Sequence, residues 1–149
     1  MRKPLIEKLE LLIKLENDSK PLWGKMSPQH MIEHLILAVK SGNGKIQKGC
    51  FNPHEKIPVL KRFLVSARAL PKDFVNPLIG PDLLPLKYEN LESAKLALKQ
   101  ELEDYYTYFE ENPDATFINP TFGELNKTEW DVFHEKHFKH HFNQFGLYD

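Results

Sequence analysis

The alternation of apolar and polar positions divides the chain into stretches of helical spacing separated by breakers. Between Leu5 and Leu15, the apolar residues at 5, 6, 9, 12 and 13 follow helical spacing, with Glu7, Lys8, Glu10 and Lys14 between them. This spacing predicts a helix with one wet face, ended by Asn17-Asp18-Ser19 and Pro21. Ser27 then offers a side-chain oxygen to an unpaired backbone N–H, and Pro28 stands where its missing N–H does no harm. A second helix is expected over Ser27–Lys40, stopping before Gly42-Asn43-Gly44. Leu91, Ala94, Leu98, Leu102, Tyr105 and Phe109 trace one stripe and predict a third helix over Glu89–Glu111. Pro113 disfavours helical geometry in the residue before it and closes that helix. A fourth is predicted over Lys127–Phe145, opened by Asn126 with Glu129 at capping-box spacing and stopped at Gly146.

Between the second and third helices stand Pro53, Pro58, Pro71, Pro77, Pro81 and Pro85. Leu60, Phe63, Leu64 and Ala67 share a face, so a short helix is expected around Val59–Arg68. The remainder reads as an extended crossover, too apolar at Phe74, Val75, Leu78, Ile79, Leu83 and Leu84 for a free linker. No stretch alternates convincingly with period two, and no internal repeat is found. Four amphipathic helices and one long proline-rich crossover predict an all-α four-helix bundle, a single domain over residues 1–149.

Composition narrows the partners. Apolar residues make up 41% of the 149 and charged residues 28%, ordinary for a globular chain with a real core. The net charge of -1 argues against a dedicated nucleic-acid binder, which carries a basic surplus on one face. It gives no reason for a membrane-surface role, and no apolar run approaches the length that spans a bilayer. Cys50 is the single cysteine, so no intrachain disulfide is available and no oxidising compartment is required. The first residues lack the apolar run of a signal peptide, and the expected location is the cytoplasm.

The chemistry lies in the histidines. Of seven, four stand at 134, 137, 140 and 141. At about 100° per residue, Trp130, His134, His137, His141 and Gln144 fall in one stripe, with Phe138, Phe142 and Phe145 on one flank and Phe133 on the other. Lys136, Lys139 and Asn143 lie opposite, so the stripe faces the core, and His140, near its boundary, reads as solvated. His137 and His141 are four apart, which stacks their rings on one face and lets both grip one divalent ion. A third ligand must come from another helix. His34, at the edge of the second helix's apolar face near Met31 and Ala38, is the leading candidate. The alternative is a set of hydrogen-bonded core histidines.

Two blocks carry a resemblance. Trp23-Gly24-Lys25-Met26-Ser27-Pro28, followed by Met31 and His34-Leu35, is one. The other runs from Asn119-Pro120-Thr121-Phe122-Gly123 through Glu129-Trp130 to His137-Phe138-Lys139-His140-His141-Phe142-Asn143-Gln144-Phe145-Gly146. In this order they resemble the N- and C-terminal signatures of an uncharacterised branch of the DinB/YfiT-like superfamily, over nearly the whole chain. The resemblance implies a four-helix bundle with a long crossover. It also implies a metal site built from one histidine of the second helix and a His-x-x-x-His pair of the last: His34, His137 and His141. Some members are thiol S-transferases using low-molecular-weight thiols, and DinB-like bundles often pair, so a homodimer is expected.

His30-Met31-Ile32-Glu33-His34 also spells the His-x-x-Glu-His of inverted zinc peptidases. On the wheel, however, Glu33 points about 100° away from His34 and reads as solvated, and His30 reads as exposed at the helix start. Trp23 and Trp130 read as core anchors, Trp130 with the option of walling the site; Gln144 is placed to bond a ligand or simply to pack. The acidic cluster around Glu101, Glu103, Asp104, Glu110 and Glu111 reads as a solvated helix face. The leading expectation is therefore a metal-dependent enzyme, with zinc or nickel as the ion, transferring a small thiol to small-molecule electrophiles. A metal-dependent hydrolase and a non-enzymatic metal- or ligand-binding stress protein are the alternatives.

Overall fold

The computed structural model describes residues 2–72 and 83–148. It is mostly helical, with one small two-stranded sheet among the described residues. The chain opens with α1 (Pro4–Glu7), which tightens into a 3₁₀ helix over Lys8–Lys14. Two side chains of a later helix explain this short, tight start. The Tyr106 hydroxyl accepts from the Leu5 amide at 3.2 Å, satisfying a donor at the helix entrance. The Lys95 ammonium donates to the Leu12 and Leu15 carbonyls, both at 2.8 Å, where a longer helix would have supplied amides.

α2 (Pro28–Gly42) begins as its sequence dictates: Ser27 Oγ accepts from the His30 amide at 3.1 Å, and Pro28 occupies the first turn. α3 (Ile57–Leu64) follows a 3₁₀ turn at His54–Lys56 and stops short of the expected Arg68. Ser66 ends it, donating its hydroxyl to the Phe63 carbonyl at 2.6 Å and accepting from the Arg68 amide at 3.2 Å. Phe74, Val75, Leu78, Ile79 and the prolines at 77 and 81 lie outside the described residues. Leu83 and Leu84, beyond them, are exposed.

α4 (Leu91–Glu111) starts at Asn90, whose side chain accepts from the Ser93 amide at 2.8 Å. Its stripe of Leu91, Ala94, Leu98, Leu102, Tyr105 and Phe109 is buried as the spacing requires. Of the helix pairs, α2 and α4 share the most extensive contact. Met31, Leu35 and Val39 face this stripe in one core with Trp130, Phe138 and Phe142. Each fully buried side chain of this size stabilises the fold by about 1.5–3 kcal/mol. Part of the acidic cluster on α4 is paired: Lys45 Nζ reaches Glu101 at 2.8 Å and Asp104 at 2.7 Å.

Between α4 and the last helix the chain makes a hairpin that the sequence pattern did not announce. β1 (Phe117–Asn119) pairs antiparallel with β2 (Gly123–Leu125), Asn119 opposite Gly123. Asn119 Oδ1 accepts from the Thr121 and Phe122 amides at 2.9 and 3.1 Å and folds the turn. α5 (Lys127–Gln144) then opens with a complete capping box: Asn126 Oδ1 accepts from the Glu129 amide at 2.9 Å, and Glu129 Oε1 accepts from the Asn126 amide at 3.0 Å. Among the described residues, no helix is long and apolar enough to cross a membrane.

Candidate metal centre

The stripe on α5 is buried at Trp130, His134, His137, His141 and Gln144. With 3.6 residues per turn, His137 and His141 lie one above the other, and both are 6% exposed. α2 brings His34 against them. The three rings form a nearly regular triangle, each pair of centroids 4.8 Å apart and each pair of planes crossing at 71–75°. One ring nitrogen from each residue lies within 4.8 Å of the others, and His34 Nε2 stands 2.9 Å from His137 Nε2. Phe133 stacks on the outer face of His137 at 5.1 Å.

Burial decides the charge of this group. Desolvation, with a smaller contribution from His140, pulls the pKa of His34 down to about 4. His137 and His141 are held well below the ordinary imidazole value, again by burial first and then by neighbouring histidines, His141 for the former and His34 for the latter. All three are therefore neutral at physiological pH, which leaves a lone pair on each ring. A lone pair needs a donor or an ion, and the group contains no carboxylate to change that need.

The other histidines go elsewhere. His134, one turn before His137, is fully buried in a box of Trp130, Tyr105 and Phe133, with centroids at 5.4, 4.9 and 5.5 Å. Neither of its nitrogens finds a hydrogen-bond partner among the described residues, and desolvation takes its pKa down to about 3. Gly42 makes that box possible: a Cβ there would lie 2.7 Å from His134 Nε2 and 3.2 Å from the Trp130 and Tyr105 rings. His140, expected to be solvated, is half-buried and meets Trp23 edge-on at 5.7 Å. His30 Nδ1 lies 2.6 Å from Ser27 Oγ, at the start of α2.

Glu33 corrects the sequence reading. It is 9% exposed, not solvated, and its carboxylate accepts from the Lys87 amide at 2.7 Å, the Tyr88 amide at 3.2 Å and Gln29 Nε2 at 2.9 Å. The Lys87 and Tyr88 amides arrive from a segment more than fifty residues away, which no periodicity can reveal. With Glu33 committed to them and His30 to Ser27, the His-x-x-Glu-His motif does not assemble as a peptidase site.

No family model, curated protein or solved structure matches the chain.

The chemistry follows from the side chains themselves. Three nitrogens bound tetrahedrally at about 2.0–2.1 Å from zinc stand about 3.3 Å apart, a spacing between the closest pair here and the widest. Neutral imidazoles suit a borderline-soft divalent ion, and three of them leave coordination positions open. Trp130 does not wall the triangle; its ring packs on His134 and its Nε1 donates to the Phe117 carbonyl at 3.3 Å, tying the hairpin to α5. Gln144 does touch it, through a bond between Oε1 and His141 Nδ1 at 2.8 Å. Trp23 is half-buried beside the site, with its carbonyl accepting from Gln144 Nε2 at 3.0 Å.

Proposed function

We propose that this chain is a DinB-like four-helix metalloprotein. In this reading His34, His137 and His141 hold one zinc or nickel ion, and the protein transfers a low-molecular-weight thiol to a small electrophile. One observation carries the reading: three neutral imidazoles from two helices, His137 and His141 buried and His34 part-buried, with their rings at mutual distances of 4.8 Å. A bound ion of this kind acidifies a coordinated thiol or water and polarises a carbonyl.

The protein's own part is to hold the three nitrogens and to keep water from the far sides of the rings. Phe133 covers His137, and the core aromatics Phe138 and Phe142 lie on the same helix as the pair. In the transfer, the thiol sulfur forms the new bond to the electrophilic carbon. The leaving group departs with its electron pair, and the thiol proton passes to solvent. Thiol transfer is preferred to hydrolysis on the resemblance of the two sequence blocks; Glu33 is spent on the Lys87 and Tyr88 amides, so the His-x-x-Glu-His motif supplies no general base to either reaction.

The reading extends to a cytoplasmic homodimer, for which the exposed Ile13 and Leu96 provide apolar surface. The test is metal analysis of protein purified without an affinity tag, followed by a screen of small thiols against alkyl and aryl electrophiles. About one ion per chain and thiol-dependent turnover, both lost in His137→Ala, are the expected results. Stoichiometric metal without turnover would assign a binding protein, and water-dependent turnover without thiol would assign a hydrolase.

A further inference from the structure

We infer that Gln144 is a positioning residue that sets the tautomer of His141, so that the loop preceding α2 prepares the site for its ion; this rests on the metal reading above. The inference begins at Trp23. Its backbone carbonyl can only accept, so the Gln144 side-chain atom 3.0 Å from it is the amide nitrogen. That fixes the orientation of the amide and turns Oε1 toward His141 Nδ1 at 2.8 Å. An amide oxygen also only accepts. His141 must therefore carry its proton on Nδ1, and Nε2 is left as a lone pair for the ion.

The relay is built tightly. Gln144 is 4% exposed, and its own backbone carbonyl accepts from the Leu22 amide at 2.6 Å. Gly24, at φ +82°, is the residue that lets the loop close on it, since a Cβ there would lie 2.9 Å from Gln144 Nε2. His137 has no counterpart: its Nδ1 is buried without a hydrogen-bond partner among the described residues. Of the two α5 ligands, one is thus preset by an outer partner and the other is not. The preset one depends on residues more than a hundred positions earlier in the chain.

Histidine side-chain ¹⁵N NMR on metal-free protein at neutral pH tests the first link without any ion. His141 should be protonated on Nδ1 and bare on Nε2. In Gln144→Leu that signature should become a tautomer mixture, and zinc affinity, measured against a chromophoric chelator, should fall about 10–100-fold. Gln144→Glu loses the donor to the Trp23 carbonyl but keeps an oxygen for the Nδ1 proton, and should retain the Nδ1-protonated signature that Gln144→Leu loses. A wild-type His141 protonated on Nε2 would overturn the inference whatever the variants do. So would a Gln144→Leu protein with the same tautomer and the same affinity. Wild-type protein that binds no zinc would instead overturn the metal reading, with the NMR signature still deciding whether Gln144 sets the tautomer.

Discussion

Each ligand of the triangle is tested by its own removal. Replacing His34, His137 or His141 with alanine should lower zinc affinity at least tenfold, whereas His140→Ala, outside the triangle, should change it far less; chelator competition reads the difference. Acid provides a second test. His34 and His134 have folded pKa values of about 4 and about 3, below the 6.5 of the unfolded chain, so the unfolded state binds more protons in that interval. Stability is therefore fully present above about pH 6.5 and is lost as pH falls, by about 1.4 kcal/mol per pH unit for each such group. Urea titrations of metal-free protein should show the midpoint falling from pH 7 to 5, and Phe in place of His134 should flatten that slope. At this scale the sequence was partly legible. The four-residue spacing was enough to put His137 and His141 on one buried face. His34 was legible as a candidate from its place at the edge of the second helix's apolar face, and the resemblance named the same residue; that His134 turns into the Tyr105 and Trp130 box depends on Gly42, a contact between helices that spacing along one helix does not encode.

Helix ends were readable wherever a side chain caps its own helix. Ser27, Asn90 and Asn126 all accept from an amide three residues on, a local bond written in local sequence. Ends set by distant groups were not readable: Lys95 and Tyr106 shape the first helix from across the core. The hairpin escaped because strands of three residues are too short to display alternation. These local caps separate stability from function. Asn126→Ala should cost about 1 kcal/mol, seen as a lower urea midpoint. It should leave zinc affinity unchanged, because the cap lies about three turns from His137. A large drop in affinity would mean that the start of α5 positions the ligands as well.

At the scale of the molecule, the exposed Ile13 and Leu96 mark the surface on which the proposed pairing is tested. Light scattering should give twice the chain mass at micromolar concentration, and Leu96→Glu should shift it towards the monomer. A monomer at high concentration would remove the homodimer from the reading. The placement of the ligands has a consequence for folding. Two sit a single turn apart on α5, while the third lies 103 residues away from His137. An ion held by all three is a cross-link that exists only when the whole chain has closed. The two-residue grip on α5 depends on the helical turn that stacks the rings, so it too is lost when α5 unravels. Cobalt absorption should therefore vanish in the same urea transition as the far-ultraviolet circular dichroism, making the ion a reporter of the global fold. In His34→Ala the folded protein itself should give only a faint cobalt signal, because the pair on α5 has lost its long-range partner.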